Sequence, residues 1–170
     1  MDLNQKKAHK TPRRPGPHER LWNGRCVDKD LKDEWLLALN SFKTFNTVSI
    51  CQGHINRDDE LFCPHINLKI KPEYIVKLKG AMDTPEITDH LAKFPKDTDW
   101  DYEYCEERSN EQPEIKKEIM FRFMRLKKRT SSGMNRSTEK WFEKMIQLLL
   151  ALDQIFADEL QNKYLEKEHS

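Results

Sequence analysis

Glycine is scarce in this 170-residue chain, with five in all, and none forms the phosphate-cradling loop or the G-x-G-x-x-G turn that nucleotide sites require. No stretch of about 18 uncharged apolar residues occurs, so no membrane-spanning helix is expected. The first twenty residues, MDLNQKKAHKTPRRPGPHER, lack the apolar centre of a secretion signal. An H-E-x-x-H motif and a C-x-x-C pair are also missing, and net charge nearly so: 30 Lys plus Arg against 29 Asp plus Glu leave +1. These absences predict a soluble, intracellular protein, cytoplasmic in location, whose four cysteines stay reduced or bind metal instead of pairing. Hydrophobic residues make up only 36% of the chain, but with so little net charge and with the aromatic and aliphatic residues bunched, a folded body is expected instead of disorder.

Near-neutrality hides a separation of charge. Residues 1–20 hold six basic residues (Lys6, Lys7, Lys10, Arg13, Arg14 and Arg20) against Asp2 and Glu19, and the rest of the chain carries a net −3. Residues 1–18, with three prolines and almost no apolar side chain, cannot bury enough surface to offset the entropy of ordering and read as a flexible basic arm. Such an arm is a solvated tail or a phosphate-seeking contact to nucleic acid through Lys6, Lys7, Lys10, Arg13 and Arg14. Residues 19–170 then form a single α+β domain.

Within that domain Leu31, Trp35, Leu36, Leu39 and Phe42 are spaced as one face of a helix, predicted from Asp28 to about Lys43 with Asp28 or Asp30 as its cap. FNTVSIC (45–51) and HINLKI (65–70) read as strands joined by a polar loop. Pro72 suits the first turn of a helix carrying Tyr74, Ile75, Leu78 and Met82, and a second short helix is predicted from Thr84 or Pro85 to Phe94. Trp100, Tyr102 and Tyr104, then Ile119, Phe121 and Phe123, alternate with polar neighbours as two further strands. Residues 97–111 hold seven acidic residues and one basic, and residues 116–129 the reverse, so antiparallel pairing would set opposite charges across the ladder. Alternatively, DTDWDYEYCEE is an acidic patch for a cation or basic partner, and KKRTSSGMNR a nucleic-acid patch.

From Ser137 or Thr138 to about Tyr164 the apolar positions keep helical spacing for nearly four heptads. This helix either packs on the sheet as the main core element or forms a homodimer seam. The fold class is therefore α+β: a four-stranded, mostly antiparallel sheet covered by helices, with a long C-terminal helix.

One concentration of chemistry stands out. Cys51, His54, Cys63 and His65 fall within fifteen residues as C-x2-H-x8-C-x-H. Gly53 lets the chain turn after the first strand so that Cys51 and His54 converge, while Cys63 and His65 share a face of extended backbone. Two thiolates and two imidazoles suffice for tetrahedral zinc, and metal binding by Cys51, His54, Cys63 and His65 is the leading expectation. Asp58, Asp59 and Glu60 in the same loop offer an oxygen ligand. Catalysis uses the same atoms otherwise: a Cys51 thiolate stabilised by His54 or Arg57 is a nucleophile, with Gln52 and the Gly53 turn binding an oxyanion. No orienting carboxylate is identifiable, so no reaction class follows. The residues can also be incidental, Cys51 as a small buried side chain and His65 as the opening of a strand.

The segment N-T-V-S-I-C-Q-G-H (46–54) resembles the strand-and-turn T-x-S-S-C-S-G-R of the wybutosine-pathway tRNA methyltransferases over nine of 170 residues. Ser49, Cys51 and Gly53 match, whereas Ile50 replaces a serine, His54 stands where that family has arginine, and no K-G-G-x-W segment follows. The resemblance implies an RNA-linked role and carries over no site residue. Cys26 and Cys105 lack close histidine partners and read as buried or surface thiols, His90 reads as a surface residue on a short helix, and His9, His18 and His169 lie toward ends of the chain expected to be mobile. Three functions remain open: a metal-binding module, a small enzyme centred on Cys51 and His54 acting on a nucleotide or RNA-type substrate, and a non-catalytic interaction protein.

Overall fold

The structure is a computed structural model and describes residues 14–55, 61–83, 95, 97–109, 112–125 and 134–168. Its elements run, in order, β1 (Glu19–Trp22), β2 (Arg25–Asp28), α1 (Asp33–Asn40), β3 (Phe45–Cys51), β4 (His54–Ile55), β5 (Leu61–Phe62), β6 (His65–Ile70), α2 (Pro72–Asp83), β7 (Thr98–Ser109), β8 (Gln112–Arg125) and α3 (Arg136–Glu168). β3, β6, β8 and β7 form one four-stranded sheet in that spatial order, every neighbouring pair antiparallel. β1 with β2, and β4 with β5, add two small ribbons.

The period-two pattern decides which face of the sheet is covered. Ile66, Leu68, Ile70, Ile119, Phe121 and Phe123 are all 2% exposed or less, and the residues between them point to the opposite face. Against the apolar face lie Trp35, Leu36 and Leu39 of α1, Tyr74, Ile75 and Leu78 of α2, and the stripe of α3 from Trp141 to Phe156. Aromatic rings make the joints: Trp35 stacks on Phe142 at 5.3 Å, Tyr74 on Phe156 at 4.9 Å, and Trp100 on Phe121 at 5.4 Å between ring centroids. Each such buried side chain contributes roughly 1.5–3 kcal/mol. Ile146, Leu148, Leu149 and Leu152 are all buried, so α3 is enclosed on more than one side where its apolar stripe widens, while Tyr164 beyond the core is 69% exposed.

Two buried charges fix the frame. Asp153 of α3 is 5% exposed and accepts the backbone N–H groups of Lys43 and Thr44 and the Thr44 hydroxyl, tying the α1–β3 turn to the helix. Arg125 at the end of β8 is 3% exposed and donates to Asp97, Ser137 and Thr138 at 3.0, 2.5 and 2.7 Å.

Several expectations are corrected. The first helix spans Asp33–Asn40, not Asp28 to Lys43, because residues 25–28 pair as β2. Asp28 and Asp30 do not cap it: their carboxylates accept the N–H groups of Gln52 and Met134 instead. Ser137 and Thr138 serve Arg125, and the cap of α3 is Asn135, whose Oδ1 accepts the Thr138 N–H at 2.8 Å. The acidic and basic strands do pair in a charge-complementary register, with Glu106 opposite Lys117, Glu107 opposite Lys116 and Asp101 opposite Arg122. The short helix predicted over residues 84–94, most of the basic arm and most of KKRTSSGMNR lie outside the described residues. Among the described residues no helix is long and apolar enough to cross a membrane.

Candidate metal centre

The site is assembled where β2, β3 and β4 end or begin. β1 and β2 are joined by Asn23-Gly24 alone, with φ values of +47° and +74°, the pair of positive angles that a tight two-residue hairpin turn needs. That hairpin lies beside β3 and ends at Asp28. β3 ends at Cys51, and Gly53, at φ +82°, swings the chain into β4, which opens with His54. The side chains of Asp28, Cys51 and His54 converge, each offering one ligand atom within 4.8 Å of the others.

Hydrogen bonds hold the arrangement. The Gln52 N–H donates to Asp28 Oδ2 at 2.8 Å, the Asp30 N–H donates to Gln52 Oε1 at 3.1 Å, and Gln52 Nε2 returns a bond to Asp30 Oδ2 at 3.2 Å. Gln52 is only 4% exposed, so this latch between the two turns is shielded from water. Cys51, 8% exposed, receives the Gly53 N–H on its sulfur at 3.3 Å and lies 3.3 Å from His54 Nδ1. Two ligands on one tetrahedral zinc, with bonds of about 2.3 Å to sulfur and 2.05 Å to nitrogen, would stand about 3.6 Å apart, so this spacing needs little adjustment.

Of the four residues singled out in the sequence, Cys51 and His54 are brought together and Cys63 and His65 stay outside the cluster. His65 lies directly opposite Cys51 across the ladder, but its Nδ1 contacts the Cys63 carbonyl at 3.0 Å, an acceptor that fixes Nδ1 as the donor. Burial is the main cause holding the His65 pKa below its ordinary value; the Cys63 bond opposes it, Arg122 adds to the lowering, Asp28 opposes and His54 adds. Cys63 is half-buried. Asp58, Asp59 and Glu60 lie outside the described residues.

Asp28 is the residue that sequence reasoning missed. It is 23 positions from Cys51 and looks like a helix cap. The signal that reveals it is Asn23-Gly24, which forces Arg25–Asp28 into a hairpin and brings its last residue to the end of β3.

Beside the centre, between the β1–β2 hairpin, α1 and β3, is a cleft of about 260 Å³. Cys51 and Asp28 stand on its wall together with Trp22, Arg25, Cys26 and Ser49. A thiol, an imidazole and a carboxylate within 4.8 Å of one another, the thiol and the carboxylate on the wall of a cleft, can bind a borderline metal ion or activate the thiol as a nucleophile. In comparisons with known proteins, no family, no curated protein and no solved structure matches this chain.

Proposed function

We propose that the protein binds a divalent metal ion, zinc in the first place, through Asp28, Cys51 and His54. The observation that carries this reading is the convergence of their three ligand atoms within 4.8 Å, from two separate stretches of chain. The ligand set is one thiolate, one imidazole and one carboxylate oxygen, a mixture that zinc accepts readily. Such a site is formed by folding, and binding there returns free energy to the fold. A cytoplasmic location, where Cys51 stays a thiol, belongs to the same reading. Elemental analysis of protein purified without an affinity tag tests it: about one zinc per chain, removed by chelator with loss of thermal stability, is expected. Absence of stoichiometric metal together with indifference to chelator would overturn it.

The cleft supports a second reading. With Cys51 on the cleft wall and His54 Nδ1 3.3 Å from its sulfur, the pair fits a thiol nucleophile, and Asp28 is the carboxylate missing from the sequence-based reading. Iodoacetamide should then label Cys51 faster than Cys26 in metal-free protein, with a rate that falls when His54 is replaced by Ala. Equal labelling of the two thiols refutes it. Nucleic-acid binding through the basic arm and self-association along α3 remain proposals of the interaction class. Salt-dependent binding lost on deleting residues 1–18 would support the first, and a dimer mass in light scattering the second.

A further inference from the structure

The face of the sheet opposite the helices carries a hydrogen-bonded row that the metal centre does not use. Ser49, Asn67 and Arg122 are directly opposite one another on β3, β6 and β8. Asn67, 6% exposed, donates from Nδ2 to Ser49 Oγ at 2.8 Å and accepts Arg122 Nε on Oδ1 at 3.0 Å. Both ends of the amide are thereby committed, and the guanidinium is held in one orientation.

That orientation passes over the obvious partner. Asp101, exposed on β7, is the residue opposite Arg122 on its other side, yet no ion pair joins them. Instead the half-buried guanidinium turns toward β6, and its four terminal N–H groups have no acceptor among the described residues. Terminal donors left without a protein acceptor are open to an anion. A planar guanidinium fixed through Nε presents its remaining donors as a fork, the geometry that carboxylate and phosphate oxygens fit.

The metal centre faces the same region. His65, next to Asn67 along β6 on this face and opposite Cys51, is influenced electrostatically by Arg122, Asp28 and His54 at once. Two strand spacings and a two-residue offset put the Cα atoms of Cys51 and Arg122 about 12 Å apart, a gap that an arginine side chain and a small molecule can bridge.

We propose that Arg122 is an anion-recognition residue, its guanidinium aligned by Asn67 and Ser49 to hold the carboxylate or phosphate group of a small ligand whose other end reaches the Asp28–Cys51–His54 centre. The link to the centre rests on the metal reading above; the anion site on Arg122 stands without it. Ser49 and Asn67 act as positioning residues.

The experiment is calorimetric titration of the full chain with inorganic phosphate and, separately, with acetate, in zinc-loaded and in chelator-treated protein. Saturable binding of one of the two anions identifies the group, and Arg122→Gln should weaken it about tenfold or more while zinc stoichiometry is unchanged. Ser49→Ala, at an exposed position where water can replace the hydroxyl, should weaken it more modestly with the cooperative thermal transition retained and the melting temperature lowered by only a few degrees, which separates misalignment from misfolding. Failure of both anions to bind the unaltered protein, or equal binding by the Arg122→Gln variant, overturns the anion site, whatever the zinc analysis gives. Anion affinity that is the same with and without zinc overturns the link to the centre and leaves the Arg122 site standing.

Discussion

Replacing Asp28 separates the two tasks its carboxylate performs. It accepts the Gln52 N–H at 2.8 Å, and it supplies the oxygen of the Asp28–Cys51–His54 cluster. Asp28→Asn keeps an oxygen for the Gln52 N–H but removes the anionic ligand. A bond to a charged acceptor contributes about 1.5–3 kcal/mol and a neutral one about 0.5–1.5, so the metal-free fold should lose only about 1 kcal/mol, or roughly 2–4 °C in melting temperature. Zinc affinity should fall much further. Loss of an outer-shell partner of a ligand typically costs 10–100-fold, and loss of a ligand itself should cost about 100-fold or more, roughly 2.7 kcal/mol. Asp28→Ala should lose both quantities, since the Gln52 N–H is left in a shielded turn with nothing to accept it. Competition titration against a chromogenic chelator measures the affinity, and thermal denaturation of chelator-treated protein the stability. An Asp28→Asn variant that binds zinc as tightly as the unaltered chain refutes the three-ligand assignment, whereas a collapse of the metal-free fold refutes the division of roles.

Asp153→Ala leaves the buried N–H of Thr44 and the N–H of Lys43 without their acceptor and should cost about 3–5 kcal/mol in urea denaturation; a loss under about 1 kcal/mol would contradict the frame role given to this carboxylate. The native pKa of His65 lies below its ordinary value, so between the two values the unfolded chain binds more protons than the folded one. Stability should therefore be complete above about pH 6.5 and fall as the pH drops through the native value. In chelator-treated protein His65→Gln should flatten that fall, and an unchanged pH profile would show that His65 is not its source. Gly24 sits at φ +74° with open space where a Cβ would be, so Gly24→Ala meets no clash and should cost only the strain of the backbone, about 1–2 kcal/mol. Because that turn positions Asp28, zinc affinity should weaken with it; stability and affinity both untouched would show that the turn tolerates alanine.

The elements that read well in the sequence are those whose side chains repeat against one large partner. Ile66, Leu68 and Ile70, or Phe121 and Phe123, alternate because one face of a sheet is covered, and the α3 stripe keeps helical spacing because one side of that helix lies on the same core. The β1–β2 hairpin is not legible from periodicity, although Asn23-Gly24 is a strong local turn signal, because each strand is four residues long with its two apolar residues adjacent instead of alternating. The first helix is shorter than its pattern suggests: acidic residues before an apolar stripe look like a cap, and whether they cap or pair is decided by what lies across from them.

The candidate site divides along that line. Cys51 and His54 were legible because a glycine turn brings residues three apart together, and local geometry is encoded locally. Cys63 and His65 share the composition but not the place: the group of converging ligand atoms is formed by Asp28, Cys51 and His54 without them. Asp28, and the row from Ser49 through Asn67 to Arg122, depend on strand register, which sets side chains from distant parts of the chain opposite one another. The sequence by itself therefore determined the α+β architecture, the core face and two of the three residues of the cluster, because each rests on periodicity or on neighbours along the chain. Only the tertiary structure decided the carboxylate that completes the cluster and the row that joins Ser49, Asn67 and Arg122, because contacts between residues far apart in sequence are settled by packing and register.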